Sequence, residues 1–460
     1  MSRLSQKLVG AWSTLGTRFL PFADVASADL PLPRLLRLSL FQVSVGMALV
    51  LLVGTLNRVM IVELKVPAAL VAVMVAMPLL FAPFRALVGF RSDNHRSELG
   101  WRRVPYIWMG TLMQFGGLSI MPFALLVLAG AGQSASVPPW VGQLSAAIAF
   151  FLVGAGLHTV QTVSLALATD LAPPEDHPKV VGFMYVMLLL GSIGSAFAFG
   201  DFLSDYSPGR LIQVIQAAAI TTLVLNVVAM WKQEARSRSR KPRAGDASEQ
   251  ASFAEAWRGF AAGGDVSRRL WVIALGTMAF TMEDVLLEPY GGEILNMSVS
   301  STTYLTATLA LGGLVGFSWA SRVLSRGADP YRMATAGVVC GLPAFIAVIA
   351  AAPLASVALF VVGTFLIGLG AGLFGHGTLT ATMRSAPPGQ SGLALGAWGA
   401  AQATAGGLAM ALGGILRDVI ALPWGVLAGY EAVYAIELLL LLATLYLMRP
   451  MLGRPSSPTA

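Results

Sequence analysis

The sequence predicts an all-α integral membrane protein with twelve transmembrane helices in two six-helix halves. Three observations carry that prediction: composition, the length of the apolar runs, and an internal repeat. Of 460 residues, 56% are hydrophobic and only 12% charged, against roughly 25% charged in an ordinary soluble chain. With a mean hydropathy of +0.72, the chain has too little charge to clothe its own surface in water, so lipid is its main solvent. Apolar runs of about 20 residues, the helix length that crosses a hydrocarbon core of about 30 Å, recur along the whole chain. In lipid every backbone polar group must be satisfied internally, which leaves helices or closed barrels. Runs this long lack the alternation of a barrel strand. The net charge of +7 is scattered between apolar runs, a pattern of membrane topology and not of a nucleic-acid surface. A single cysteine, Cys340, excludes a disulfide framework, a cysteine zinc site and an iron–sulfur cluster.

In chain order, residues 1–37 are expected to form a cytoplasmic segment without the short apolar core of a cleavable signal. Within it, Leu8, Trp12, Leu15 and Phe19 share a helical face beside Lys7 and Arg18, the pattern of an interfacial helix. The first half, 38–231, holds spans near 38–60, 66–88, 104–130, 140–168, 179–200 and 210–231. A basic linker, 232–269, interleaves Arg236, Arg238, Arg240, Lys241 and Arg243 with Ser and Pro. It ends in a short helix signalled by the capping-box pair Ser252 and Glu255. The second half, 270–447, holds spans near 270–291, 302–321, 332–352, 355–382, 391–416 and 423–447, and a tail occupies 448–460. Assigning Lys and Arg to alternate sides gives 26 against 4, which predicts both termini and the linker in the cytoplasm.

The repeat lays residues 152–174 on residues 366–388 without a gap. Gly154 and Gly156 fall on Gly368 and Gly370, and Ala172-Pro-Pro on Ala386-Pro-Pro. Small residues at this spacing let membrane helices approach closely. Two six-helix halves joined by a long cytoplasmic loop are the plan of the major facilitator superfamily. Gly89, Asp93, Gly100, Arg102 and Arg103 resemble that superfamily's loop signature, with stretched spacing.

Several strings resemble a narrower family. They are Arg18–Asp24 (RFLPFAD), Leu56–Leu64 (LNRVMIVEL), Arg91–Arg96 (RSDNHR), Gly100–Trp108 (GWRRVPYIW), Gly156–Thr162 (GLHTVQT) and Glu288–Gly292 (EPYGG). Together they are similar to the PucC/LhaA family, across nearly the whole chain. The resemblance implies a non-enzymatic assembly factor for bacterial light-harvesting antenna complexes in the intracytoplasmic photosynthetic part of the inner membrane. It implies antenna α and β polypeptides as partners, with the reaction centre core complex and bacteriochlorophyll synthase as further candidates, and bacteriochlorophyll as cargo or bound pigment.

Ionisable groups inside a span are expensive and usually face a bundle interior or a cavity. Glu283, Asp284 and Glu288 stand in the seventh span. Asp284 and Glu288, four apart, are expected to share a helix face and to meet Arg58 of the first span, near Asn57 and Glu63. The cluster reads either as a lining for a ligand or proton pathway or as an ion pair locking the halves. Neutral imidazole is a common metal ligand, so His158, with Gln161 on the same face, and His376, between Gly375 and Gly377, are candidates to ligate the magnesium of a chlorin ring. Gly368, Gly372, Gly396 and Gly407 are candidate docking points for antenna helices. The rival class is a proton-coupled secondary transporter of a small solute, since fold does not fix function. A prenyltransferase would need paired aspartate-rich motifs, and Asp201-Phe-Leu-Ser-Asp205 supplies one such spacing only. No free metal ion, nucleotide or nucleic-acid site is expected.

Overall fold

The computed structural model describes residues 30–80, 88, 92, 101–130, 136–173, 177–234, 266–385 and 391–452, and all regular structure among them is helical. Helix α1, Leu32–Leu49, continues through two π-helical segments, Val50–Leu56 and Val59–Glu63. Then come α2 (Ala68–Leu80), α3 (Val104–Leu128), α4 (Pro139–Asp170), α5 (His177–Phe202) and α6 (Pro208–Met230). The remainder is α7 (Val266–Ala279), a 3₁₀ turn at Glu283–Val285, α8 (Leu287–Glu293), α9 (Val299–Leu324), α10 (Pro330–Ala351), α11 (Val357–Ser385), α12 (Ser391–Trp424) and α13 (Val426–Met448). Among the described residues eleven helical stretches are long and apolar enough to cross a membrane, with α7 and α8 counted as one stretch. The shorter apolar α2 accompanies them.

Local chemistry sets the boundaries. Ser207 opens α6 by accepting the Arg210 N–H at 3.2 Å, and Asp329 opens α10 by accepting the Tyr331 N–H at 2.8 Å. In both cases a proline follows at the first helical position, where its missing N–H leaves no helical bond unmade. Helix α1 starts at Leu32 and not near residue 38, because Leu32, Leu35 and Leu38 continue its buried stripe and Arg34 donates to the Gln233 carbonyl at 2.7 Å. Helix α12 runs on through Arg417 to Trp424, beyond its expected end near 416. The chain turns at Gly425, whose φ of +90° suits a residue without Cβ. The N-terminal interfacial helix and the Ser252 helix fall outside the described residues.

The described chain forms two compact units, Met1–Arg236 with Val285–Leu311, and Ser237–Asp284 with Gly312–Ala460. The seventh span is therefore not one helix. It breaks between Ala279 and Leu287, and the chain leaves the second unit for the first at that break, returning midway along α9.

Within each unit the repeated glycines do the same work. A Cβ on Gly156 of α4 would lie 2.5 Å from the Gln114 nitrogen and 2.6 Å from the Gly110 carbonyl of α3. A Cβ on Gly370 of α11 would lie 2.8 Å from the Gly337 carbonyl of α10. Corresponding helices thus meet glycine to glycine, the close approach that holds membrane helices together where lipid supplies no hydrophobic drive.

Candidate functional site

In the first unit, the residues around the π-helical end of α1 gather the excursion Val285–Leu311 onto it. A π turn carries an extra residue and often marks a functional position. Asn57 and Arg58 sit between the two π segments. The Asn57 side-chain amide donates to the Val285 carbonyl at 2.7 Å, and Arg58 donates to the Met297 carbonyl at 3.2 Å. The Arg58 guanidinium, 4% exposed, is ion-paired with Glu63, which is 35% exposed. Thr55 and Thr303 hydroxyls lie 3.4 Å apart. The buried Glu288 carboxylate accepts from the Thr306 hydroxyl. Gly54 makes room for this pair, since a Cβ there would stand 2.8 Å from the Thr306 oxygen and collide with the carboxylate. Tyr206, in the α5–α6 loop, has its phenol pushed up by burial and by the Glu63 carboxylate, with Arg58 opposing.

This arrangement corrects two expectations. Arg58 lies within electrostatic reach of Glu288, yet its bonds go to Glu63 and the Met297 carbonyl, and not to Asp284 or Glu288. Asp284 and Glu288 do not share a helix face, because Asp284 ends in the 3₁₀ turn of the second unit whereas Glu288 starts the first turn of α8 in the first.

A second polar seam in the first unit was not anticipated. The Ser44 hydroxyl donates to Asn226 Oδ1 at 2.6 Å, Asn226 Nδ2 donates to the Thr111 hydroxyl at 3.1 Å, and Gln42 Nε2 donates to the Ser164 hydroxyl at 3.3 Å. The available signal was the amides Gln42 and Asn226 within apolar runs, and all five of these side chains are buried.

Of the loop-signature residues, Gly89, Asp93 and Gly100 lie outside the described residues, whereas Arg102 and Arg103 are placed. Arg102 and Arg103 donate to Asp170 at 2.5 and 3.0 Å, and Arg103 also donates to the Ser92 hydroxyl at 2.8 Å. Glu234 accepts the backbone N–H groups of Arg102, Arg103 and Val104 at 2.7, 3.0 and 2.9 Å, setting a carboxylate on the positive start of α3.

The pigment-ligand candidates fall in different units. In α4, Gln161 is buried and His158 half-buried. In α11, the half-buried His376 ring packs at a tilt of 59° against Phe317 with centroids 4.3 Å apart, and its Nδ1 is buried with no hydrogen-bond partner among the described residues. A Cβ on Gly375 would meet open space, whereas one on Gly377 would sit 2.7 Å from the Ala334 nitrogen. Of the two glycines, only Gly375 therefore borders open space. The candidate docking glycines are corrected too. Gly368 and Gly407 are buried, and Gly372 abuts the Gly313 carbonyl of α9 at a Cβ distance of 2.5 Å. They pack the protein against itself; the Gly396 surroundings lie outside the described residues.

In the second unit, Glu283 has a partner that sequence reasoning missed. The carboxyl of Glu437, on α13, lies within hydrogen-bonding reach of the Glu283 carboxyl, with Asp284 nearby. Both glutamates are 0% exposed. The signal was present: Glu437 continues the buried α13 stripe of Tyr430, Val433, Tyr434 and Leu441 at helical spacing.

Eleven apolar helical stretches among the described residues, with repeated glycine contacts inside each unit, define a multi-pass membrane protein of the major facilitator fold. Solved structures agree: a bacterial homologue of the iron transporter ferroportin in an inward-facing state aligns with a TM-score of 0.67 at 14% identity, covering 92% of this chain and 99% of that one. The family model described as PUCC protein matches residues 55–455, and this chain belongs to the PucC family. It is 63% identical to Protein PucC of Rhodovulum sulfidophilum, over 91% of this chain and 92% of that protein. It is also 27% identical, over 85% of this chain and 88% of the other, to a Rhodobacter capsulatus protein named Bacteriochlorophyll synthase 44.5 kDa chain.

Proposed function

We propose that this chain is an assembly factor for bacterial light-harvesting antenna complexes. It engages antenna α and β polypeptides laterally in the lipid and delivers bacteriochlorophyll to them, without catalysing a reaction of its own. The observation that carries this reading is where the family's unusual strings fall. Leu56–Leu64 supplies Asn57, Arg58 and Glu63, and Glu288–Gly292 supplies Glu288 and Gly292. They meet: a Cβ on Gly292 would lie 3.1 Å from the Arg58 Nε. Residues from two of the strings that carry the family resemblance therefore meet in one polar junction around Arg58.

The pigment part of the reading is supported by the name of the more distant relative and by His376. Its Nδ1 is buried without a hydrogen-bond partner among the described residues, which leaves a ring nitrogen for a magnesium to take; His158 with Gln161 is the second candidate. The 26 to 4 division of basic residues favours cytoplasmic termini in the bacterial inner membrane. The reaction centre core complex and bacteriochlorophyll synthase are candidate neighbours in the same membrane.

A proton-coupled transporter of a small solute is the second reading, favoured by the likeness in fold to solved transporters. Purification in mild detergent separates the two. Near-infrared pigment bands with co-purifying single-span antenna chains are the expected result. A colourless protein that drives saturable solute uptake in vesicles would replace this reading with the transporter.

A further inference from the structure

We propose that Glu283 and Glu437 form a proton-binding site within the second unit, the two carboxyls holding one proton between them. An ionised carboxylate only accepts hydrogen bonds; a protonated one gains an O–H donor. Among the described residues no side-chain donor reaches any of the four oxygens of this pair, all of which are buried. The backbone N–H of Glu283, at the start of the 3₁₀ turn where α7 has already ended, lies close to both carboxyls. Two adjacent carboxylates in that setting would present acceptors to acceptors, and buried polar groups left in that state are rare. One proton resolves the conflict, because it turns one oxygen into the donor that the facing oxygen lacks.

The surroundings favour a proton over a larger cation. Phe280 meets Phe345 and Phe374 in tilted contacts with centroids 6.4 and 6.0 Å apart, and Phe345 meets Tyr434 at 6.5 Å, so aromatic rings pack next to the turn. Charge in such a medium is strongly penalised unless it is paired. The ionisable group that joins the pair is Asp284, of the same negative sign. On the packed helices, Arg417 of α12 is committed to Asp418 at 2.7 Å and to Tyr430, and Arg384 of α11 to the carbonyls of Leu324 and Ala328. The His376 ring of α11 packs against Phe317, and Arg332 of α10 lies 4.0 Å from Asp329. No group of three or more His, Cys, Asp and Glu among the described residues is arranged to hold a metal ion. The site is independent of the antenna reading and would serve either function.

The test is infrared spectroscopy of the full-length protein at neutral pH, comparing the native chain with Glu283→Gln and Glu437→Gln. Glutamine keeps the size and supplies N–H donors, so each variant is expected to fold. The native protein should show a carboxylic acid C=O band that shifts in D₂O, and either single substitution should remove the same band. If a variant does not insert, the native protein still decides: absence of an exchangeable carboxylic acid band overturns the proposal. So does a native protein whose melting temperature rises with sodium or magnesium while the Gln variants do not respond, which would mark a cation site.

Discussion

Arg58 settles on the nearest carboxylate, and the asymmetry of exposure across that pair makes a prediction. Removing the Glu63 charge strands an almost fully buried guanidinium, whereas removing Arg58 leaves a carboxylate that water reaches. Stranding a buried charge costs about 3–5 kcal/mol, and an accessible group far less. Glu63→Gln should therefore lower the melting temperature in detergent more than Arg58→Met, which keeps most of the apolar stem. The double variant should recover part of the loss, and a double-mutant cycle should couple Arg58 to Glu63 and not to Asp284. Thr306→Val should cost about 1–3 kcal/mol, the penalty for leaving the buried Glu288 carboxylate without its donor, read from the same melts. At this scale the sequence announced which residues matter but not whom they meet. Asn57, Arg58 and Glu288 stand out as polar groups in apolar runs, whereas their partners depend on a helix break that places Val285 and Met297. Glu437 was overlooked because one acidic residue in a leucine-rich last span has no motif around it.

Between elements, the repeat was the most legible feature, and its details extend past the glycines. Position 170 aligns with position 384, and the two residues have opposite charge. Asp170 receives Arg102 and Arg103 beside the start of α3, while Arg384 donates to the carbonyls of Leu324 and Ala328 at the end of α9. Each sign matches the helix terminus it serves, positive at a start and negative at an end. Arg384→Ala should destabilise the protein by about 1 kcal/mol, the usual worth of a hydrogen-bonded contact of this kind. The glycine contacts give a sharper contrast. Gly156→Ala and Gly370→Ala force a methyl into backbone atoms of the neighbouring helix and should each cost about 1–3 kcal/mol, typical of overpacking. Gly375→Ala enters open space and should leave the melting temperature within about 1 °C, since exposed substitutions without such contacts seldom matter. What periodicity could not foresee was the broken seventh span. Its sequence is long and apolar enough to read as one span, and the interruption arises where Glu283, Asp284 and Glu288 must each reach a polar partner or another carboxyl instead of lipid.

For the whole molecule, composition alone was enough to assign the solvent, and the Lys and Arg bias gives a topology that reporter fusions can check. Fusions after Ser239 and at the C-terminus are expected to report cytoplasm, and one after Gln133 periplasm; a periplasmic linker would contradict the span count. The division into units was less legible, because the linker marks a boundary in sequence whereas Val285–Leu311 joins the first unit through hydrogen bonds that no sequence pattern displays. That junction joins two of the strings that resemble the family, so its role bears directly on the proposed function. The most direct measurement is the near-infrared absorption of membranes from a photosynthetic bacterium that lacks this chain, with the native gene restored as control. Loss of the antenna bands while free bacteriochlorophyll is still made, and their return on complementation, is the predicted result. Normal antenna bands in its absence would contradict it.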